Sequence, residues 1–324
     1  MGADVQKVVL LAGGVGGARM AEGLMRALPE GALTVVVNVG DDDTFYGLLV
    51  CPDIDTILYT LSDRIDRGQG WGVANDTVNG LNVLRDLGAP VWMKLGDADF
   101  GLHIWRNWRM SQGASLSEVT EECAARFGVR ARILPATDDP VRTRLMTEKG
   151  PLDFQNWFVG ERCQPAVREI SYAGAEEAAA SPQALAAIRE ADLIVFAPSN
   201  PLLSLEPLLS VKALREAVAA SHAPRIGVSP LIGGKAVKGP LDKLLADLCQ
   251  AGGAAGVAAR YKGLIDGFLV DSGDVNDIAA IEADGISVHA TDILMRDPAG
   301  AERLARELIG FAPTLGAPAP GVRA

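Results

Sequence analysis

Residues 5–19, VQKVVLLAGGVGGAR, restrict the fold more than any other stretch of the chain. Five apolar residues, Val8 to Ala12, run into four glycines within five positions: Gly13, Gly14, Gly16 and Gly17. A helical apolar pattern starts near Ala18 and continues through Met20, Leu24 and Leu28. This order predicts a buried parallel strand, a tight turn, and a helix whose N-terminus points back over the strand end. The unpaired N–H groups and positive dipole end of such a helix suit a phosphate, and glycines let an anion approach without meeting a Cβ. Neither standard fingerprint fits. Counted from Gly14, G-x-G-x-x-G puts Arg19 where the third glycine belongs, and a P-loop needs Lys and Ser/Thr where Ala18 and Arg19 stand. The alternatives are a glycine turn without chemistry and a nucleotide-phosphate site of unorthodox type; the second is the expectation.

The rest of the chain repeats this rhythm. Residues 33–37 (LTVVV) read as a second buried strand, ending in Asn38-Val39-Gly40-Asp41-Asp42-Asp43. In open α/β sheets ligands sit beyond the carboxyl ends of strands, so this acidic run is well placed. Asp53 and Asp55 follow Pro52 at the start of an apolar helix, as caps or as further oxygen ligands. Together the acidic residues make a divalent-cation site plausible, the alternative being a solvated acidic turn. Trp71, Trp92, Trp105 and Trp108 fall within residues 64–110, where aromatics serve a core or stack a flat heteroaromatic ligand. Residues 91–97 read as a short strand ending in Gly96-Asp97, and 115–127 as a helix with a Ser115/Glu118 capping box. The period-two alternation of 141–147, with 152–159, predicts a hairpin around 148–150.

From Ser181 the βα pattern returns. Strands are expected at 192–197, 225–228, 267–270 and 286–290, with helices near 207–219, 240–251 and 298–308. Ser199 and Asn200 at one strand end, and Gly233, Gly234 and Lys235 after another, repeat the phosphate-binding logic of the first loop. The expected fold is α/β: a Rossmann-like, mainly parallel sheet with helices on both faces, formed by 1–103 and 181–311. Residues 104–180 read as a smaller mixed helical and β-hairpin insertion, and the Pro/Gly/Ala-rich 312–324 as a loose tail.

Composition excludes several classes. A net charge of −11 argues against nucleic acid, which needs a basic face. No apolar run has the length of a membrane span, and MGADVQK carries no basic-then-apolar leader, so a cytoplasmic protein is expected. Four scattered cysteines without a C-x-x-C pair fit a reducing compartment, and three isolated histidines argue against a histidine-based zinc site.

GGVGGAR, NVGDD followed by YGL and CPDIDT, then LGDAD, APSNP and SPLIGGKAVKGP occur in that order over nearly the whole chain. In this combination the sequence resembles the 2-phospho-L-lactate transferases, CofD or FbiA, of coenzyme F420 biosynthesis. The resemblance implies a phospho-hydroxyacid moved from a guanosine diphosphate-linked donor to the terminal ribityl hydroxyl of the deazaflavin Fo, with release of GMP. It implies Fo contacts at Asp55 and Lys94, a catalytic role for Asp55, and a need for Mg²⁺, for which Asp41, Asp42, Asp43 and Asp55 are the candidate ligands. The group transferred is open among 2-phospholactate, phosphoenolpyruvate and 3-phosphoglycerate, and a homodimer is the expected assembly. Two rivals are a nucleotide or nucleotide-sugar-binding regulator of a related glycine-loop family, disfavoured by the NVGDD–YGL–PDIDT run, and a dehydrogenase, disfavoured at Arg19.

Overall fold

The computed structural model describes residues 5–315. Seven parallel strands form the central sheet: β1 (Val8–Ala12), β2 (Leu33–Val37), β3 (Arg132–Pro135), β4 (Leu193–Phe196), β5 (Arg225–Val228), β6 (Gly267–Asp271) and β7 (Ser287–Thr291). Their order is β7-β6-β5-β4-β1-β2-β3. Every residue of β1, β2, β4, β5 and β6 is buried, as expected of strands covered on both faces. The order reverses between β1 and β4, which both pair in parallel from Val8 onward. In open α/β sheets such a reversal is where ligands bind, beyond the carboxyl ends of the two strands.

Helices surround the sheet. Helix α1 (Gly14–Ala27) follows β1 directly, and α2 (Pro52–Leu61) packs beside it. The last helix, Pro298–Phe311, crosses α1 so closely that a Cβ on Gly23 would fall on the carbonyl of Ala301. Helices α3 (Asn79–Asp86) and α4 (Asp97–Ser111) hold each other's N-termini. The Asp97 carboxylate accepts the N–H groups of Asn79 (3.0 Å) and Gly80 (2.9 Å), while Asp76 accepts that of Ala98 (2.9 Å). The capping box predicted for α5 (Leu116–Arg126) forms: Ser115 Oγ accepts the Glu118 N–H at 3.1 Å, and Glu118 accepts that of Ser115 at 2.8 Å.

Four expectations need correction. Residues 91–96 form no strand, because Gly96 is drawn against Asp76 to start α4 and β3 pairs with β2 as the outer strand of the sheet. The stretch read as an insertion, 104–180, therefore supplies a strand of the main sheet. Its hairpin pairs Arg142–Thr147 with Gly150–Asp153, then the chain turns at Asn156–Gly160 over a fully buried Trp157; a third antiparallel strand, Val167–Ala173, completes the subsheet. Ala312 and Leu315, expected in the loose tail, are buried, and Leu315 packs on Gly267; 316–324 lie outside the described residues. Among the described residues no helix is long and apolar enough to cross a membrane.

Candidate active site

At the reversal, Ser199 beyond β4 is fixed to the end of β1. Its hydroxyl donates to the Gly13 carbonyl at 2.7 Å and accepts the Gly13 N–H at 3.4 Å. Three glycines of the first loop meet protein atoms. A Cβ on Gly16 would fall on the Pro198 carbonyl, one on Gly17 would sit 3.0 Å from both Ala12 Cβ and Ser199 Oγ, and one on Gly13 would strike Asp53. The fourth, Gly14, adopts φ +64° and donates its N–H to Asp53 Oδ1 at 2.6 Å. The glycines thus serve the close approach of α1 to β4 and α2, where the sequence suggested clearance for an anion.

Asp53 comes from the first turn of α2. Residues two apart on a helix point about 200° away from each other, so Asp53 and Asp55 serve different neighbours. Asn38, completely buried after β2, donates its side-chain amide to Asp53 Oδ2 (2.9 Å), Asp41 Oδ1 (3.4 Å) and the Leu203 carbonyl (3.2 Å). Its Oδ1 accepts the Gly40 N–H at 2.8 Å, which turns the acidic loop back over the sheet. Asp41 is held well above the ordinary carboxylate range by burial and by Asp53 and Asp42. Burial pushes Asp53 up to about 6, although the hydrogen bonds from Asn38 and Gly14 pull the other way. Asp42 is pushed up to about 8 by burial, bonds to the Cys51 thiol, and leaves Oδ1 without a partner. Asp43 lies half-buried in a separate hairpin, its carboxylate bonded to the Thr44 N–H at 2.7 Å.

Asp55 is an ion-pair residue. Arg106 of α4, itself 2% exposed, donates Nη2 to Asp55 Oδ1 and Nη1 to Oδ2 at 3.3 Å. His103, one turn earlier on α4, places Nδ1 3.2 Å from Arg106 Nη1. Burial pushes this imidazole down to about 4, so it is neutral at pH 7 and accepts from Arg106 through Nδ1. Its proton then resides on Nε2, which is buried without a partner. Asp55 stands inside the first turn of α2, whose N-cap is Cys51, and so does not cap a helix beginning at Thr56.

The carboxylates suit a divalent cation shared with phosphate. Among the described residues no group of three or more His, Cys, Asp and Glu side chains is arranged to hold a metal alone. Mg²⁺, however, is usually bound by one or two carboxylates plus substrate phosphates. Asp41 and Asp53, both buried, both raised and both bonded to Asn38, have the chemistry of such a half-site.

The structure thus brings Gly13, Gly14, Asp41, Asp53 and Ser199 together. Other candidates stand elsewhere or are engaged. Asn200 Oδ1 accepts the N–H groups of Leu202 (2.9 Å) and Leu203 (3.2 Å), capping the turn Pro201–Leu205. Gly233 (φ +58°) and Gly234 (φ +73°) form the tight turn of the hairpin Leu231–Ile232/Lys235–Ala236, and their N–H groups face the Asp274 carboxylate. Lys235 and Lys94 are exposed. Arg19 donates to the Met295 carbonyl at 2.8 Å. Sequence reasoning missed Asn38 as a holder of carboxylates, and Arg106 and His103 altogether. A signal for the last two exists: they lie four residues from Leu102 and Asp99 respectively, on the face α4 buries.

Similarity to known proteins now decides the family. The description "2-phospho-L-lactate transferase CofD" matches residues 8–307. The chain belongs to the CofD family. As a member it is a transferase, which removes the dehydrogenase and the non-catalytic regulator. A phosphoenolpyruvate transferase from Kitasatospora aureofaciens is 43% identical over 94% of this chain and 98% of that protein. A 2-phospho-L-lactate transferase from Methanosarcina mazei is 37% identical over 93% of this chain and 99% of that one. A crystal structure of a UPF0052-family protein from Bacillus halodurans shares the fold, with a TM-score of 0.64, 17% identity, and coverage of 94% of this chain and 99% of that one.

Proposed function

We propose that this CofD-family transferase moves the phosphoenolpyruvyl group from a guanosine diphosphate-linked donor to the terminal ribityl hydroxyl of Fo, releasing GMP, in coenzyme F420 biosynthesis. Phosphoenolpyruvate is preferred over 2-phospholactate and 3-phosphoglycerate because the Kitasatospora relative, named for that substrate, exceeds the Methanosarcina one in identity. The observation that carries the reading is the Asp41–Asn38–Asp53 cluster against the first turn of α1, at the strand reversal. A diphosphate seated there would meet a helix N-terminus and two carboxylates able to hold a divalent cation.

In the reaction the Fo hydroxyl oxygen forms a bond to the outer phosphorus as its proton passes to the Asp55 carboxylate, the bond between that phosphorus and the bridging oxygen breaks, and GMP departs with the electron pair. Such transfers need positioning and charge neutralisation more than a strong nucleophile. Asp41 and Asp53 would hold Mg²⁺, which would supply neutralisation of the diphosphate charge. Gly14 and its turn fix the approach of α1 to that charge. Asp55, fixed by Arg106, keeps lone pairs free to accept the hydrogen of the Fo hydroxyl and orient its oxygen. Lys94 is the second Fo contact in this reading, and a cytoplasmic homodimer its setting.

The test is mass spectrometry of the product formed from Fo with each guanylylated acid in turn. A phosphoenolpyruvyl product is expected to dominate. Dominance of another acid removes that assignment, and no product from any of them ends the reading.

A further inference from the structure

Between α2 and α3 the chain makes a closed, braced loop. Ile65 and Val73 pair across its base, the Ala74 N–H donates to the Arg64 carbonyl at 2.8 Å, and the Asp66 N–H to that of Gly72 at 3.0 Å. Within it, the Asp66 carboxylate accepts the N–H groups of Gly68 (2.9 Å) and Gln69 (3.2 Å) and the Gln69 side-chain amide (2.8 Å). From outside, Lys238 Nζ donates to the Gln69 carbonyl at 2.9 Å. Gly70, at φ +80°, approaches the first turn of α1 so closely that a Cβ there would stand 2.9 Å from Val15 Cγ1. The next residue is Trp71, 44% exposed and followed by a second left-handed glycine, Gly72 at φ +72°.

Leaving a large part of an indole in water forgoes burial that the ring would otherwise gain, and loop tips more commonly carry small polar residues. Here backbone bonds, a brace against α1 and two special glycines fix the backbone that carries that indole. An aromatic face carried on a fixed backbone is an arrangement that binds flat rings at low entropic cost. One flank of the loop touches the mouth of α1; on the other, the Lys94 charge acts on Asp66. We propose that Trp71 is the stacking platform for a fused heteroaromatic ring of a substrate, either the guanine of the donor or the deazaflavin of the acceptor. This rests on the proposed function, which supplies both rings.

The experiment is titration calorimetry of the wild-type protein, Trp71→Ala and Trp71→Phe with GDP, with Fo, and with pyrophosphate as the ringless control, all in Mg²⁺. Stacking predicts that Trp71→Ala weakens GDP or Fo by about tenfold or more, that Trp71→Phe stays within about threefold of wild type, and that pyrophosphate is unaffected. The ligand whose affinity falls identifies the ring. GDP and Fo both binding to Trp71→Ala within about twofold of wild type overturns the inference and leaves the proposed function standing. An equal loss for pyrophosphate and GDP also overturns it, since the damage then lies at the phosphates. A wild-type protein that binds neither GDP nor Fo overturns the proposed function and this inference together.

Discussion

Asp53 Oδ1 accepts the Gly14 N–H at 2.6 Å, so the mouth of α1 faces a carboxylate belonging to the protein. A phosphate approaching that helix end is attracted by the dipole and repelled by Asp53. In the proposed reading a cation between them would remove this opposition, and Asp53 would then couple nucleotide binding to Mg²⁺.

Replacing Asp53 with Asn removes the charge and keeps one acceptor oxygen. We predict that the variant binds GDP about threefold to tenfold more tightly than wild type in excess EDTA, because a nearby like charge is gone. In Mg²⁺ the order reverses, and the gain in GDP affinity that Mg²⁺ gives the wild type largely disappears. Calorimetric GDP titrations in both buffers check this. A variant that keeps the wild-type response to Mg²⁺ excludes Asp53 from the cation site.

Stability should fall with rising pH when the cation is absent. Burial pushes Asp53 and Asp99 up to about 6 and Asp42 up to about 8, and holds Asp41 high as well. Groups raised in the folded state stabilise it fully below their unfolded values, and that contribution is lost as pH rises through the folded ones. His103, lowered to about 4, acts in the opposite sense, but only below its ordinary 6.5. Between 6.5 and about 8 Asp42 therefore sets the slope, and the metal-free protein should lose about 1–2 kcal/mol. Thermal melts in EDTA should show Tm declining across that window, with Mg²⁺ flattening the decline. A level profile in EDTA would mean that these carboxylates are already compensated.

What the sequence disclosed follows from which interactions are local. All-apolar runs such as VVLLA and LTVVV bury on both faces wherever they pair, so the parallel sheet and its glycine turn were legible. The run at 91–93 is also apolar but has no sheet neighbour to pair with, and ends as loop. Gly16 was legible as a close approach, but sequence alone does not distinguish a bound anion from the Pro198 carbonyl. The partner of Asp55 is 51 residues away on another helix, and no spacing rule reaches that far. Asp53 and Asp55 look alike in PDIDT; the helical turn between them sends one to α1 and the other to Arg106.

Two glycine substitutions should have opposite signs. Gly16→Ala places a methyl group on a backbone carbonyl that cannot move without displacing the end of β4, so we expect a loss of about 2 kcal/mol or more with no ligand present. Gly101 lies exposed within α4, and a methyl group added there would meet nothing within 4 Å, so Gly101→Ala should gain about 0.5–1 kcal/mol from helix propensity. Urea unfolding of the two apo variants checks both. A neutral Gly16→Ala would return that position to anion clearance.

The ion pair between Asp55 and Arg106 requires that stability and catalysis be measured separately. Asp55→Asn leaves a guanidinium that is 2% exposed without a charged partner, and breaking a buried pair in this way costs about 3–5 kcal/mol. Reduced activity in a steady-state assay would then report unfolded protein as readily as lost chemistry. Adding Arg106→Met removes the orphaned charge at similar length, so the double variant should recover most of the lost Tm. If Asp55 orients the Fo hydroxyl, the double variant remains slow by about 10²-fold in single-turnover transfer although it is folded, because no carboxylate faces the nucleophile. The relevant quantity is the transfer rate per folded molecule, measured at a temperature where circular dichroism shows each variant intact. A double variant within about threefold of the wild-type rate would restrict Asp55 to holding α2 against α4.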